Sequence, residues 1–362
     1  MNYAVIMAGG TGKRLWPLSR QKRPKQVLKL LNGQTLLECC FERLKPVFDI
    51  RNIVVLTNAG YVDLVREELP GLPSGNVIAE PTVRDTAGAI GLAATVLAKY
   101  DPEATMAVVT ADQLIKPAEV LQSALKDACQ FVDGHPEALV TFGIKPTFAS
   151  TQLGYVKCGP APEGPSSKNP VLPVEAFKEK PDQETARQYI ESGQYSWNSG
   201  MFVWKARTIT RLLAEFVPET VGPLGRIAAA WDTHEQESVL AKAFAELPKI
   251  SIDYAVMERA PQVHAIQLDC RWLDLGSFAA LADIVQSDDS NNIVVAGASE
   301  LLDCKDNIIV TEDRGHLIAA IGLENIIIAH TPDATLVCHA GQAERLKELL
   351  ALIESHKRPE FL

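Results

Sequence analysis

The stretch that decides the fold is Tyr3-Ala-Val-Ile-Met-Ala-Gly-Gly-Thr-Gly-Lys-Arg14. Residues 3–7 form a short apolar run of the kind that makes a buried strand, and Gly9, Gly10 and Gly12 follow it directly. Glycine accepts positive φ and lets the backbone approach a ligand closely, so successive N–H groups can converge on an anion. The stretch therefore predicts a strand that leads into an anion-binding turn.

The same order of elements continues along the chain. Apolar runs at 52–57, 105–110 and 138–143 predict further strands, and the Ala- and Leu-rich segment 86–100 predicts a buried helix. Strands that alternate with helices at this spacing predict a parallel sheet, which binds ligands beyond the carboxyl ends of its strands. We expect Gly9 to Arg14 and Asp112 on that edge. The second half mixes strands (174–178, 201–204 and 263–268) with several helices.

A polar segment at 287–291 predicts a boundary, and a weak repeat follows it. Asn292, Asn307 and Asn325 each precede three β-branched residues, at spacings of 15 and 18 residues. Near-regular short strands predict a small β-solenoid, closed by an amphipathic helix at 342–356, although an ordinary antiparallel sheet would show similar runs. The fold class is thus α/β, with a Rossmann-like, mixed and mostly parallel sheet flanked by helices over residues 1–286 and a β-solenoid-like domain over residues 287–362.

Composition excludes several classes of protein. The 362 residues include 35 Lys and Arg and 45 Asp and Glu, so the net charge is −10, which disfavours a nucleic-acid partner. No apolar run is long enough to cross a membrane, and no secretory leader is expected. Seven scattered Cys without CxxC pairs indicate buried thiols in the cytoplasm, and the seven His, which lack metal-site spacing, are predicted to be structural.

Basic residues are concentrated beside the glycine turn. Met7 and Arg14 stand where a Walker A loop needs Gly and Ser or Thr, and Leu15 replaces the third Gly of a dinucleotide loop. Pro17 and Pro24 break any helix, so the cations lie on an ordered loop suited to a triphosphate. The cations are Lys13, Arg14, Arg20, Lys22, Arg23 and Lys25.

Residues 9–20 and the following Pro-Lys-Gln resemble the signature of the sugar-1-phosphate nucleotidyltransferases. Five further segments, in the family's order, are similar to those of members that make GDP-mannose: 80–87, 177–181, 197–202, 251–258 and 272–277. The resemblance implies a nucleotidyltransferase fold and catalytic domain over 1–286, and transfer of GMP from GTP to α-D-mannose 1-phosphate with release of pyrophosphate. It implies Mg²⁺ as cofactor. The chain stops short of the isomerase domain of bifunctional relatives, so we expect a single activity.

The resemblance also implies roles for individual residues. Arg14 and Lys25 would be catalytic and would act on the triphosphate, with Lys25 at the α-phosphate. Asp112 and Asp274 would bind the metal, although a post-strand Asp can also cap a helix and Asp274 could be a turn residue. Glu80 would read the N1 and N2 edge of guanine. The other nucleotide-binding residues would be Gly9, Gly10, Thr11, Gly12, Lys13 and Thr86, and the sugar phosphate would contact Glu179, Lys180 and Asn198.

Several alternatives remain open at this point. The chain departs from the family at Lys13, where Thr is usual, and at Gln113, where His is usual. Glu80-Pro81 could form a simple turn, Arg84 and Asp85 could pair, and a Glu179–Lys180 pair could be solvated. Trp16 and Trp197 are predicted to pack rather than to stack on a base. Another nucleotide and sugar phosphate, or a non-catalytic regulatory subunit, could share this fold, and strand edges in the tail would suit a homodimer contact.

Overall fold

The computed structural model describes residues 1–10, 12–29, 33–160, 168–282, 285–313 and 315–362. The chain forms two compact units. The first comprises Met1–Gly9, Phe41–Thr110 and Ile115–Trp272, and the second comprises Gly10–Cys40, Ala111–Leu114 and Leu273–Leu362. No helix among the described residues has the length and apolar character that a membrane span requires.

Strands are numbered along the chain. They are β1 (Asn2–Met7), β2 (Ile53–Asn58), β3 (Val77–Glu80), β4 (Thr105–Thr110), β5 (Gln113–Lys116), β6 (Leu139–Ile144), β7 (Tyr155–Cys158), β8 (Leu172–Lys178), β9 (Tyr195–Lys205), β10 (Val263–Leu268), β11 (Arg271–Asp274), β12 (Ile293–Val295), β13 (Ala298–Leu302), β14 (Ile308–Thr311), β15 (Leu317–Ile321), β16 (Ile326–Thr331) and β17 (Ala334–His339).

Helices are numbered in the same way. They are α1 (Leu36–Leu44), α2 (Val62–Glu68), α3 (Asp85–Tyr100), α4 (Ala118–Gly134), α5 (Gln183–Ser192), α6 (Ala206–Phe216), α7 (Val221–Ala230), α8 (Gln236–Glu246) and α9 (Leu346–Ser355). Short 3-10 helices include Lys13–Leu15, Lys25–Val27 and Ala340–Arg345, and a π-helical turn spans Asp253–Met257.

Within the first unit, nine strands of the described residues form one sheet in the order β3-β2-β1-β4-β9-β6-β10-β8-β7. β3, β2, β1 and β4 are parallel neighbours, as are β6 and β10, while β9 runs antiparallel to both β4 and β6. The predicted α/β class and mixed sheet are confirmed. The parallel part is confined to these two groups, because β7 pairs antiparallel with both β8 and β9, and β8 pairs antiparallel with β10.

The helix predicted at 86–100 is confirmed as α3, which lies in the apolar core of the first unit. Its Gly91 is explained by close packing, since a Cβ there would lie 3.1 Å from Leu224 and 3.3 Å from Leu213. A larger side chain would push α6 and α7 away from α3. The glycine therefore serves helix packing rather than breaking the helix.

The tail is a parallel β-solenoid, as predicted. β12, β14 and β16 pair in parallel, β13 pairs in parallel with β15, and β17 closes the sheet antiparallel to β16. The final helix is shorter than expected, since 340–345 adopt a 3-10 conformation before α9 begins at Leu346. Of the cysteines, Cys40, Cys129 and Cys304 are buried and the other four are half-buried rather than buried.

Candidate active site

The glycine turn continues from β1 as predicted, and Gly12 has a structural reason to be glycine. Its φ is +64°, and an added Cβ would overlap the Cβ of Lys25. Gly10, Lys13 and Arg14 are exposed in this segment, where they can face a ligand, whereas Thr11 lies outside the described residues. The turn therefore folds back onto Lys25, and the bulk of any other side chain would separate the two.

Lys25 lies at the centre of a compact charged cluster in the second unit. Its Nζ is 3.0 Å from Asp112 Oδ2 and 3.1 Å from Asp274 Oδ1, and the residue is 6% exposed. Burial lowers the pKa of Lys25, but the two carboxylates outweigh burial and raise it overall. The structure thus brings Lys25 into contact with Asp112, 87 positions away in the sequence, and with Asp274, 249 positions away.

The carboxylates of this cluster are partly open to solvent. Asp112 and Asp274 keep 40% and 42% of their side-chain surfaces exposed. The surrounding protein nevertheless raises the pKa of Asp274 by desolvation, with a further contribution from Asp112, against the opposing charges of Lys25 and Arg14. Asp112 is not a helix cap, because the next helix, α4, begins at Ala118 with Pro117 as its N-cap. The Asp274 carboxylate is not simply a turn group, because it contacts Lys25.

Glu80 ends β3 in the first unit and is buried with little compensation. It is 8% exposed, and burial raises its pKa from the ordinary 4.5 to about 7. A Cβ on Gly9 would lie 3.0 Å from Glu80 Oε1, so the glycine leaves room for this carboxyl group. Sequence reasoning did not predict the strand that presents Glu80, because β3 is only four residues long.

Thr86 is already engaged by the protein. Its hydroxyl accepts a hydrogen bond of 2.8 Å from the backbone N–H of Ile252, and its own N–H donates to Asp85 Oδ1. Arg84 donates instead to the carbonyl of Ala245, so Arg84 and Asp85 take different partners. The geometry thus assigns Thr86 to holding segment 251–258 against the start of α3.

The three residues predicted for the sugar phosphate lie in one neighbourhood of the first unit. Lys180 Nζ is 2.5 Å from Glu179 Oε1; the Glu179 side chain is buried at 6% exposure, whereas the Lys180 side chain keeps 48% of its surface exposed, so only one partner of the pair is solvated. Asn198 Nδ2 donates to Asp253 Oδ1 at 3.0 Å. A Cβ on Gly154 would overlap Glu179 Oε2, so this glycine makes room for the cluster.

Two carboxylates of this neighbourhood were not assigned from sequence. Burial raises the pKa of Asp253 to about 7, and the charge of Glu179 adds to the rise, while Lys180 and Asn198 oppose it. Glu258 accepts the backbone N–H of Glu179 at 2.8 Å. Both belong to segment 251–258, whose family resemblance was a signal, but the π-helical turn that directs Asp253 inward could not be read from spacing.

The tryptophans pack rather than present faces to a ligand. Trp16 is 6% exposed, and its indole N–H donates to the carbonyl of Phe361 at 2.5 Å. Trp197 is 4% exposed and contacts Phe148 edge-on, with ring centroids 4.8 Å apart. The predicted packing role of both residues is confirmed.

Comparison with known proteins adds an independent observation. The family model described as nucleotidyl transferase matches residues 3–291, and one described as a MannoseP isomerase/GMP-like beta-helix domain matches residues 289–352. The mannose-1-phosphate guanylyltransferases of Klebsiella pneumoniae and Escherichia coli are each 37% identical over 99% of this chain, which spans 75% of their length.

A solved structure extends the likeness to three dimensions. The crystal structure described as mannose-1-phosphate geranyltransferase from Thermus thermophilus has a TM-score of 0.85 and 31% identity, and the match covers 98% of this chain and 99% of that one. The UDP-glucose pyrophosphorylase solved with UDP-glucose, at 14% identity and a TM-score of 0.50, shares the fold over 77% of this chain. The chain therefore belongs to the nucleotidyl transferase family, and within it to the mannose-1-phosphate guanylyltransferases.

Proposed function

We propose that the chain transfers GMP from GTP to α-D-mannose 1-phosphate, giving GDP-mannose and pyrophosphate. The observation that carries the proposal is the convergence of Lys25, Asp112 and Asp274 beside the glycine turn. This cluster combines a buried cation with two carboxylates that can bind a metal ion, and it lies next to a backbone turn that can bind phosphate. The relatives named above, which match along almost the whole chain, support the choice of reaction and substrates.

The reaction depends more on neutralising the negative charge of the phosphates than on a strong general base. An oxygen of the sugar phosphate attacks the α-phosphorus, a new P–O bond forms, and the bond to the β-phosphate breaks as pyrophosphate leaves. All reacting groups are anionic, so the main tasks are positioning and neutralisation of charge. We assign Lys25 to the α-phosphate, with Arg14 and Lys13 on the β- and γ-phosphates. Gly9, Gly10 and Gly12 allow the backbone to approach, and Thr11 is assigned with them from sequence alone.

Asp112 and Asp274 fit a divalent cation of the Mg²⁺ type. Their oxygens already converge on one positive group, the Lys25 ammonium, within 3.1 Å, and both stay partly open to solvent. Carboxylates with water and phosphate oxygens are the ligands that Mg²⁺ prefers. When bound, Mg²⁺ would neutralise charge on the phosphates. We propose that Lys25 holds the two carboxylates in place before the substrate binds. Its ammonium group would contact the α-phosphate once the substrate is bound.

The sugar phosphate is assigned to the cluster around Lys180. Its ammonium would contact the phosphate, and Glu179 and Asn198 would hydrogen-bond to mannose hydroxyls. Asn198 is preset for this, because Thr141 donates to its Oδ1 at 2.8 Å and its Nδ2 donates to Asp253. Fixed polar groups lose little freedom on binding, so they discriminate well between sugar epimers.

We propose that Glu80 recognises guanine. Thr86 supports this region by holding the start of α3 against segment 251–258. An ionised Glu80 can accept both the N1–H and the N2–H of guanine, and adenine offers no such pair. We also propose the domain division at 286/287, a cytoplasmic location and a homodimer contact in the tail.

The deciding experiment measures pyrophosphate release for four NTPs against several sugar 1-phosphates with Mg²⁺, for the wild type and Glu80→Gln. We expect wild-type turnover with GTP and mannose 1-phosphate, and a reduced preference for GTP in the variant. Turnover with a different pair alone would overturn the substrates and leave the reaction class, and no turnover with any pair would favour a regulatory protein.

A further inference from the structure

Three potential metal ligands lie together on the solenoid, in the second unit and apart from Asp112 and Asp274 in the chain. Within the described residues, the donor atoms of Asp313, His316 and His330 all lie within 4.8 Å of one another. His330 lies on β16, while Asp313 and His316 lie in the turn between β14 and β15. The parallel register that pairs Thr311 with His330 brings that turn beside His330.

The turn that carries two of these ligands is longer than the solenoid requires. In the first coil, Val295 pairs with Val310 and Ala298 pairs with Leu317. Two residues therefore connect β12 to β13, whereas the corresponding positions of the next coil, Val310 and Leu317, are separated by six. The remaining part of each coil has equal length, since Leu302 pairs with Ile321 and Ile308 pairs with Ile327. The second coil is therefore longer than the first only between Val310 and Leu317, the segment that contains Asp313 and His316.

Hydrogen bonds already orient two of the three side chains. His330 Nδ1 lies 2.9 Å from Thr335 Oγ1 on the neighbouring strand β17, which leaves Nε2 for another partner. Asp313 Oδ1 accepts the N–H of Gly315 at 2.9 Å, so its second oxygen stays available. The imidazole rings of His316 and His330 stack with centroids 3.8 Å apart. A polar group on the second ring nitrogen is the usual support of a metal-binding histidine.

We infer that Asp313, His316 and His330 bind one borderline divalent transition-metal ion, of which Zn²⁺ is the representative. Two imidazoles and one carboxylate suit Zn²⁺, Co²⁺ or Ni²⁺ rather than Mg²⁺. In a tetrahedral zinc site the ligand atoms lie about 3.4 Å apart, so ligand atoms that lie within 4.8 Å of one another must draw together by up to about 1.4 Å. His316 is exposed, so rotation about its side-chain bonds can supply this movement toward Asp313 and His330, which their hydrogen bonds hold in place.

The surroundings of the three side chains provide access to solvent. Asp313 and His330 border an open surface pocket of about 580 Å³ that also includes Glu312 and Asp333. Water or a small anion can therefore reach the position that three protein ligands leave open. Glu312 and Asp333 are ion-paired with Arg23 and Arg20, so the metal site would touch the segment that follows the phosphate turn.

The test is calorimetric titration of Zn²⁺ into the full chain in excess Mg²⁺, which occupies the carboxylate site. We expect one Zn²⁺ per chain, and at least tenfold weaker binding for His316→Ala and for His330→Ala. The matched control is His356→Ala, which removes an exposed histidine of the same unit and should leave binding unchanged. Asp313→Asn keeps the shape of the side chain and should also weaken binding.

Circular dichroism and Mg²⁺-dependent turnover accompany each variant, because none of these residues is assigned to the reaction. Wild-type values in both show that the fold is intact and that lost Zn²⁺ binding is local. No binding by the wild type would overturn the site. Unchanged Zn²⁺ affinity in all three cluster variants would show that Zn²⁺ binds elsewhere, and would also contradict the proposal.

Discussion

Lys25 keeps only 6% of its surface exposed and has two carboxylates within 3.1 Å, a setting that the loop sequence alone does not display. Its charge is held at the proposed α-phosphate position by a glycine turn that has no room for a larger side chain. Lys25→Ala should lower kcat by about 10²–10³-fold, the usual loss for one preorganised charge-stabilising donor. The control is Lys22→Ala, an exposed cation of the same loop, which should retain turnover; equal losses in both variants would contradict the role of Lys25.

Asp274 allows the proposed metal site to be tested separately from Lys25. Asp274→Asn keeps the size of the side chain but removes one anionic ligand, so the Mg²⁺ concentration for half-maximal activity should rise and turnover should fall at least 100-fold, because Mg²⁺ coordination depends on carboxylate charge. Titration of activity with Mg²⁺ measures both effects. Asp289→Asn, an exposed carboxylate of the same unit, is the control, and an unchanged titration in Asp274→Asn would remove this residue from the site.

The buried carboxyl of Glu80 makes stability depend on pH. Its pKa is raised from 4.5 to about 7, so the native state binds the proton more tightly than the unfolded chain does. The free energy of unfolding is then highest below pH 4.5 and falls as the pH rises to 7. A rise of this size corresponds to a cost on the order of 3 kcal/mol above pH 7.

Glu80→Gln, which resembles the protonated carboxyl, should therefore stabilise the protein by up to about 3 kcal/mol at pH 8 and by less than about 1 kcal/mol at pH 5. Denaturant unfolding at the two pH values measures the difference. Glu237→Gln, on the exposed face of α8, should show no such difference. A gain for Glu80→Gln that is the same at both pH values would show that ionisation is not its cause.

At the scale of elements, a buried asparagine ladder joins the coils of the solenoid. Asn307 Nδ2 donates to Asn292 Oδ1 at 2.9 Å and to the carbonyl of Leu323 at 2.8 Å, and its Oδ1 accepts the N–H of Ile326 at 2.9 Å. Asn307 is 1% exposed, so water cannot replace these partners. Two of the three repeated Asn residues that marked the tail, Asn292 and Asn307, are therefore structural rungs, whereas Asn325 adopts a φ of +57° and Ile326 takes the position opposite Asn307.

Asn307→Ala should reduce the free energy of unfolding by about 2–5 kcal/mol, because it leaves several buried polar groups without partners. Urea unfolding followed by circular dichroism measures the loss. Glu300→Ala, an exposed position on β13, should change stability by less than about 0.5 kcal/mol. If the two variants were equally stable, the ladder would not hold the coils together.

Strands that are continuous apolar runs could be predicted from the sequence, whereas strand segments that contain buried polar residues could not. The runs at 105–110 and 263–268 have the bounds of β4 and β10. β9, by contrast, begins at Tyr195 rather than at 201, because Ser196, Asn198 and Ser199 are buried in it. Their side-chain partners are distant in sequence, so alternation of apolar residues did not reveal this half of the strand.

At the scale of the whole molecule, the sequence predicted which charged residues come together and less well how the chain divides. Arg14, Lys25, Asp112 and Asp274 were assigned from short motifs, and the structure places them all in the second unit. That unit combines the N-terminal loop with the tail, because Leu15, Trp16 and Leu18 share an apolar cluster with solenoid residues such as Ile327 and Leu336. The proposed break at 286/287 follows the order of the chain, whereas the two compact units follow tertiary contacts that sequence spacing cannot show.

This shared cluster predicts that a core substitution in the tail will reduce activity. Ile327→Ala removes a side chain that is 1% exposed and should cost about 2–5 kcal/mol, so the phosphate turn should lose order and activity at a lower temperature. Thermal inactivation of pyrophosphate release measures this effect. Ile321→Ala, which is 71% exposed on the same solenoid, is the matched control, and equal inactivation temperatures would show that the tail does not support the turn.

The unequal coils of the solenoid also bear on how the tail can change in evolution. The segment from Leu302 to Ile308 and the corresponding segment from Ile321 to Ile327 have equal length. They contain Asn307 and Ile326, which are joined by a hydrogen bond, so a single inserted or deleted residue there would break the ladder. The segment from Val295 to Ala298 and the corresponding segment from Val310 to Leu317 already differ by four residues without disturbing the register. Insertions and deletions among homologous tails should therefore accumulate in these two segments, which makes them the natural places to graft new binding loops.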